Sequence, residues 1–221
     1  MTAPETHTLA VERTAHVVAM GAAEAPRSLV ALHGYGQRAE LFARHLAPHA
    51  GLQRRVVVPE ALSRFYLEVP TPDIVQRGPV RRRVGASWMT REHRDAEIAD
   101  TLAYLDRAAE AFVSPAATVD GLGFSQGAAA LCRWATQGRV RLARLVLWGG
   151  LVPDDVLSSD AARRRLPPVT LVVGDADGYL TTSAVEAQAA RLRDLGIPAT
   201  LHTFAGGHRM DAVALDAVLA R

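Results

Sequence analysis

The stretch Val119-Asp120-Gly121-Leu122-Gly123-Phe124-Ser125-Gln126-Gly127 decides how this chain is read. It is the end of a buried strand, then a five-residue turn, then the start of a helix. Gly123-Phe124-Ser125-Gln126-Gly127 fits G-x-S-x-G, the pattern of a nucleophile elbow. Such a turn is strained so that the serine Oγ stands clear above the sheet. It leaves no room for side chains two residues before and after the serine, where neighbouring strand and helix pass closest. The helix that follows points its N-terminal amides at the place where negative charge develops in acyl transfer. A glycine-rich turn with an incidental serine fits the same short pattern, so the other loops must decide between the two.

Working outward, strands and helices alternate from residue 28 to the end. Ser28–Leu32 is a continuous apolar run, as in a strand covered on both faces. A helix follows over Ala39–His49 and a strand over Arg55–Val58, stopped by Pro59. Residues 60–87 form an irregular excursion, whose Phe65 and Tyr66 argue for packing over the site. Thr90 reads as the cap of a helix running to Phe112. After the elbow strand Ala117–Leu122 and its helix to Gln137, strands are expected at Leu142–Trp148, Val169–Val173 and Ala199–Phe204. Helices are expected at Ser183–Leu195 and Arg209–Ala220. At the front, Thr8–Val11 and Ala15–Met20 read as a hairpin at a sheet edge. The whole, residues 1–221, reads as one α/β domain: a mostly parallel, doubly wound sheet with an N-terminal antiparallel hairpin.

Bulk composition narrows the function. The chain has 221 residues, 49% hydrophobic and 22% charged, and a formal net charge of only +2, so it gives no argument for a nucleic-acid partner. All 25 basic residues are arginine, a skew of composition. The runs Arg81-Arg82-Arg83 and Arg163-Arg164-Arg165 read as solvated surface. No apolar run is long enough to cross a bilayer and the first residues do not form a secretory signal, so the expectation is a cytoplasmic protein without stable membrane association. The lone Cys132 excludes an internal disulfide, and no metal-ligand spacing or P-loop is present, so no metal or cofactor is expected. Self-association into a homodimer is compatible with the sequence, which carries no signal for it.

An elbow serine needs a base, and the base needs an acid that holds its tautomer. In the order Ser, acid, His, both follow the carboxyl ends of later strands. Gly206-Gly207-His208 comes directly after the last strand, so His208 is the base; His202 lies inside that strand. Gly174-Asp175-Ala176-Asp177-Gly178 follows the penultimate strand, and spacing leaves Asp175 and Asp177 both open. Asp154 and Asp155, after the preceding strand, are a weaker option for the acid and read as a helix N-cap pair. His33-Gly34-Tyr35-Gly36-Gln37, after Ser28–Leu32, is placed to supply the Tyr35 amide as second oxyanion donor beside that of Gln126. His33 itself reads as a structural histidine bracing that loop.

Five segments now resemble the bacterial phospholipase/carboxylesterase family of the α/β-hydrolase superfamily, relatives of acyl-protein thioesterases. They are Leu32–Gly36, Pro59–Tyr66, Gly123–Gly127, Gly174–Asp177 and Gly206–His208. The resemblance implies an α/β-hydrolase fold, a metal-free esterase or thioesterase, and a G-x-x-D pattern that selects Asp177. Residues 81–94 differ from the short Trp-containing loop of the thioesterases, which favours a small-molecule ester over an acylated protein. Trp88 and Met89 either line the acyl pocket or pack under the excursion. The expected enzyme is a serine hydrolase acting through Ser125, His208 and Asp177. The alternatives are a non-catalytic binding protein of the same fold, or an acyltransferase or an amide or lactone hydrolase with the same triad.

Overall fold

The computed structural model of the protein describes residues 4–69 and 82–220. Seven strands form the central sheet: β1 (Val17–Met20), β2 (Arg27–Leu32), β3 (Arg54–Pro59), β6 (Thr118–Phe124), β7 (Arg144–Trp148), β8 (Val169–Gly174) and β9 (Ala199–Phe204), in the order β1-β3-β2-β6-β7-β8-β9. All neighbours run parallel except β1, which pairs antiparallel with β3, Val17 facing Pro59 and Met20 facing Val56. The antiparallel N-terminal edge is therefore present, with β3 as its partner. Thr8–Val11 carries no strand, and both Leu9 and Val11 are exposed.

The apolar runs are continuous because each strand feeds two cores, one per face. Val30, Leu32, Leu145, Leu147, Leu171 and Val173 point to one side. They meet Leu105 of α2 (Arg94–Phe112), Leu131 and Trp134 of α3 (Gln126–Gln137), and Val185 and Leu192 of α6 (Thr182–Asp194). Leu29, Ala31, Leu122, Val146, Trp148 and Val172 point to the other. There they meet Phe42 and Leu46 of α1 (Ala39–Leu46), and Leu215, Val218 and Leu219 of α7 (Ala212–Leu219). Two one-turn helices, α4 (Asp154–Leu157) and α5 (Asp160–Arg163), occupy the connection from β7 to β8.

Three local expectations change. The excursion contains a two-stranded antiparallel ribbon, β4 (Ser63–Tyr66) with β5 (Val84–Ser87), Ser63 facing Ser87 and Tyr66 facing Val84. Residues 70–81, including Arg81, lie outside the described residues. Helix α2 begins at Arg94, after His93 in left-handed backbone (φ 48°). Thr90 sits four residues earlier, its hydroxyl donating to the Glu97 carboxylate at 3.0 Å. Asp154 and Asp155 lie inside the first turn of α4, after Pro153 at the cap. Asp155 instead takes a two-pronged contact from the buried Arg133, 2.9 Å from Nε and 2.9 Å from Nη2, and a third from Arg94 at 3.1 Å. These guanidinium groups hold the Asp155 carboxyl below its ordinary range.

Candidate active site

Ser125 sits between β6 and α3 with φ 53° and ψ −118°, one of two non-glycine residues at positive φ among the described residues. Its own amide donates to the Trp148 carbonyl at 2.8 Å. The two flanking glycines are required by space. A Cβ on Gly123 would stand 2.5 Å from Ala128 Cα, and one on Gly127 would stand 2.3 Å from the Leu32 carbonyl oxygen. The elbow is thus wedged between its own helix and β2, as the sequence pattern requires.

His208 lies on the loop after β9, and that loop is laced to the one after β8. Gly206 N–H donates to Asp175 Oδ1 at 2.9 Å, and Ala176 N–H donates to the Gly206 carbonyl at 2.9 Å. The Arg209 carbonyl accepts from Trp148 Nε1 at 2.9 Å. The carboxylate against the imidazole is that of Asp177, whose Oδ2 lies 2.7 Å from His208 Nδ1. A carboxylate only accepts, so Nδ1–H is the donor of this contact. Asp177 is anchored in turn: its Oδ1 accepts from the amides of Tyr179 at 2.8 Å and Leu180 at 3.1 Å. Its side chain is 1% exposed and that of His208 15%.

Ser125 and His208 share neighbours. The ring of Phe124 lies 5.0 Å from that of His208. Gly149-Gly150, after β7, runs between them. A Cβ on Gly149 would stand 2.8 Å from His208 Cε1, and one on Gly150 2.8 Å from the Ser125 carbonyl oxygen. Neither glycine was singled out for this role in the sequence, although a glycine pair closing a strand end is the available signal.

The loop after β2 completes the rim. Among the described residues the amides of Tyr35 and Gln126 donate to no protein acceptor, while those of Gly34, Gly36 and Ser125 do. Gly34 N–H donates to Gln37 Oε1 at 2.8 Å, and Gly36 N–H to the Ala86 carbonyl at 2.9 Å. His33 is fully buried: Nδ1 faces the Gly34 carbonyl at 2.8 Å and Nε2 accepts from the Ala61 amide at 3.0 Å. Glu60, also buried, accepts from the Ala39 amide at the start of α1 at 3.3 Å. The ribbon is tied to the same loop, with Ala86 N–H donating to the Gln37 carbonyl at 3.1 Å and Trp88 Nε1 to the His33 carbonyl at 2.7 Å. The Gln126 side chain closes the frame, Oε1 accepting from Trp88 N–H at 3.0 Å and Nε2 donating to the Met89 carbonyl at 2.9 Å. Sequence reading missed this use of the Gln126 side chain, and of Gln37 and Glu60. Trp88 is 2% exposed. With Met89 it lines a cavity of about 10 Å³ against Ile98, Leu102 and Arg133, room for one water and not for an acyl chain. Trp88 packs beneath the loop after β2, where its indole meets the His33 carbonyl.

A family profile described as phospholipase/carboxylesterase matches residues 13–220. The chain belongs to this family. It is a hydrolase of carboxylesterase type with the α/β-hydrolase fold. Among solved structures, this phospholipase/carboxylesterase-family chain is similar to esterase PE8, at 22% identity and TM-score 0.68, over 94% of this chain and 97% of that one. It is also similar to acyl-protein thioesterase 2 of Zea mays, at 20% identity and TM-score 0.65, over 94% and 96%. A carboxylesterase from Mesorhizobium loti gives 22% identity and TM-score 0.62, over 89% and 90%. At these identities the likeness is one of fold. No curated protein sequence matches the chain. No helix among the described residues is long and apolar enough to cross a membrane.

Proposed function

We propose that this protein hydrolyses carboxylic esters, or thioesters, of small acyl substrates by a Ser125–His208–Asp177 triad and an acyl-enzyme. The observation that carries the reading is the 2.7 Å contact between His208 Nδ1 and Asp177 Oδ2, beside a serine in elbow conformation. His208 Nε2 takes the proton from Ser125 Oγ as the oxygen attacks the acyl carbonyl. The amides of Tyr35 and Gln126, both without a protein acceptor among the described residues, bind the oxyanion. Each such donor is worth about 3 kcal/mol of barrier. Asp177 keeps the imidazole in the Nδ1–H tautomer and stabilises the imidazolium. That imidazolium protonates the departing alcohol or thiol. Water then enters, and the same groups release the acid. Asp175 has a different part, holding the His208 loop through Gly206 N–H.

The test is hydrolysis of short p-nitrophenyl esters by four proteins. Ser125→Ala is expected to be inactive and folded, and to lose labelling by a fluorophosphonate probe. Asp177→Asn is expected to fall by about 10⁴ in kcat through the wrong tautomer, and Asp175→Asn by far less. Unchanged turnover in Ser125→Ala, or a severe loss confined to Asp175→Asn, overturns the assignment. Absence of fluorophosphonate labelling in the parent protein points to a non-catalytic member of the fold instead.

A further inference from the structure

We propose that Tyr179 forms the leaving-group subsite of this enzyme, a platform on which an aromatic alcohol moiety stacks. The proposal rests on the reading of Ser125 as nucleophile and His208 as base. In acyl transfer the departing oxygen takes its proton from the imidazolium, so the alcohol part of the ester lies within hydrogen-bond reach of His208 Nε2. What surrounds that ring therefore decides which alcohols fit. Nδ1 is taken by Asp177. Phe124 packs on the ring at 5.0 Å but is buried, and Gly149 carries no side chain. Tyr179 packs on it at 4.8 Å with the planes at 54°, and is 87% exposed. It is thus an aromatic ring that is both against the base and open to a ligand.

Fold stability does not account for this placement, because a ring so exposed buries little apolar area. Its backbone is nevertheless fixed. The Tyr179 amide donates to Asp177 Oδ1 at 2.8 Å, so the residue that presents the ring also holds the acid of the triad. A rigid aromatic with two side-chain torsions on a pinned backbone loses little entropy when something stacks on it. The nearby charges are engaged elsewhere, Asp177 with His208 and Asp175 with Gly206 N–H. The platform offers a π-face on which an uncharged aromatic group stacks.

The test compares benzyl acetate with methyl acetate, which share the acyl group and release alcohols of similar acidity. A ring acting only as a brace for His208 affects both esters equally. A ring acting as a subsite affects the benzyl ester alone. In Tyr179→Ala, kcat/KM is expected to fall about three- to tenfold for benzyl acetate and less than about twofold for methyl acetate. Tyr179→Phe is expected to keep both. Equal losses on the two esters, or no loss on either, overturn the proposal, as does a parent protein that labels at Ser125 with a fluorophosphonate yet turns over neither ester. Failure of Ser125 to label overturns the triad reading itself, and the subsite with it.

Discussion

His33 sits beneath the Tyr35 loop with both ring nitrogens engaged by backbone, and burial holds its imidazole below the ordinary value of 6.5. It stays neutral in the folded protein at pH values where the unfolded chain takes up a proton. Below about pH 6.5 the unfolded state therefore binds more protons, and stability falls as pH falls, by at most about 1.4 kcal/mol per pH unit from this group. Thermal midpoints measured from pH 7 to 5 are expected to show this slope, and His33→Asn to show a shallower one. His49, lowered in the same direction, keeps part of it. Identical slopes in the two proteins would assign the acid sensitivity elsewhere. The residue type alone does not distinguish His33 from His208. What distinguishes them in the sequence is place: His33 closes a buried strand, while His208 follows two glycines past the last one. Between Asp175 and Asp177 spacing offers no such difference. Their roles divide in three dimensions, where one meets an imidazole and the other a backbone amide. Cys132 is fully buried, which pushes its thiol up and leaves it inert.

At the scale of elements, the strands were legible because burial on both faces writes continuous apolar runs. The elbow was legible because close backbone approach admits only glycine at Gly123 and Gly127. The β4–β5 ribbon was not. Its strands are four residues each and pair across a gap of 17 residues, Tyr66 to Val84, without a tight-turn signature. Its partners are also long-range: β5 hydrogen-bonds to residues 36 and 37 and is followed by Trp88, which reaches His33. The ribbon therefore acts as a strap on the Tyr35 loop. Trp88→Phe keeps an aromatic side chain of smaller size and removes the indole N–H that donates to the His33 carbonyl. The expected cost is about 1–3 kcal/mol in denaturant unfolding, with kcat/KM lowered because the Tyr35 amide is less well held. A variant with full kcat/KM would show that the loop keeps its place without the strap.

At the scale of the molecule, the end of the sheet opposite Ser125 holds a charge cluster that composition conceals. Asp120 of β6 is buried and faces Arg27 of β2 at 2.8 Å and Arg144 of β7 at 3.1 Å. This single carboxylate joins three adjacent strands at their N-terminal ends. Asp120→Ala leaves guanidinium groups without their counter-charge and is expected to destabilise the fold by roughly 3 kcal/mol, with the ester kinetics of the remaining folded protein unchanged. A stability within about 0.5 kcal/mol of the parent would show the cluster to be dispensable. Arg144 has a second engagement: its Nη1 donates to the Val218 carbonyl at 3.1 Å, while Arg54 Nη2 donates to that of Leu219 at 2.9 Å. The last turn of α7 is thus clasped by β3 and β7. This clasp bears on biosynthesis. A growing chain has made Ser125, Asp177 and His208 before α7, so two strand arginines and the part of one sheet face not covered by α1 still wait for that helix. Until α7 leaves the ribosome, the residues of the proposed triad exist while the part of the sheet that α7 covers is open, so hydrolytic competence is expected only after residues 212–219 have been made.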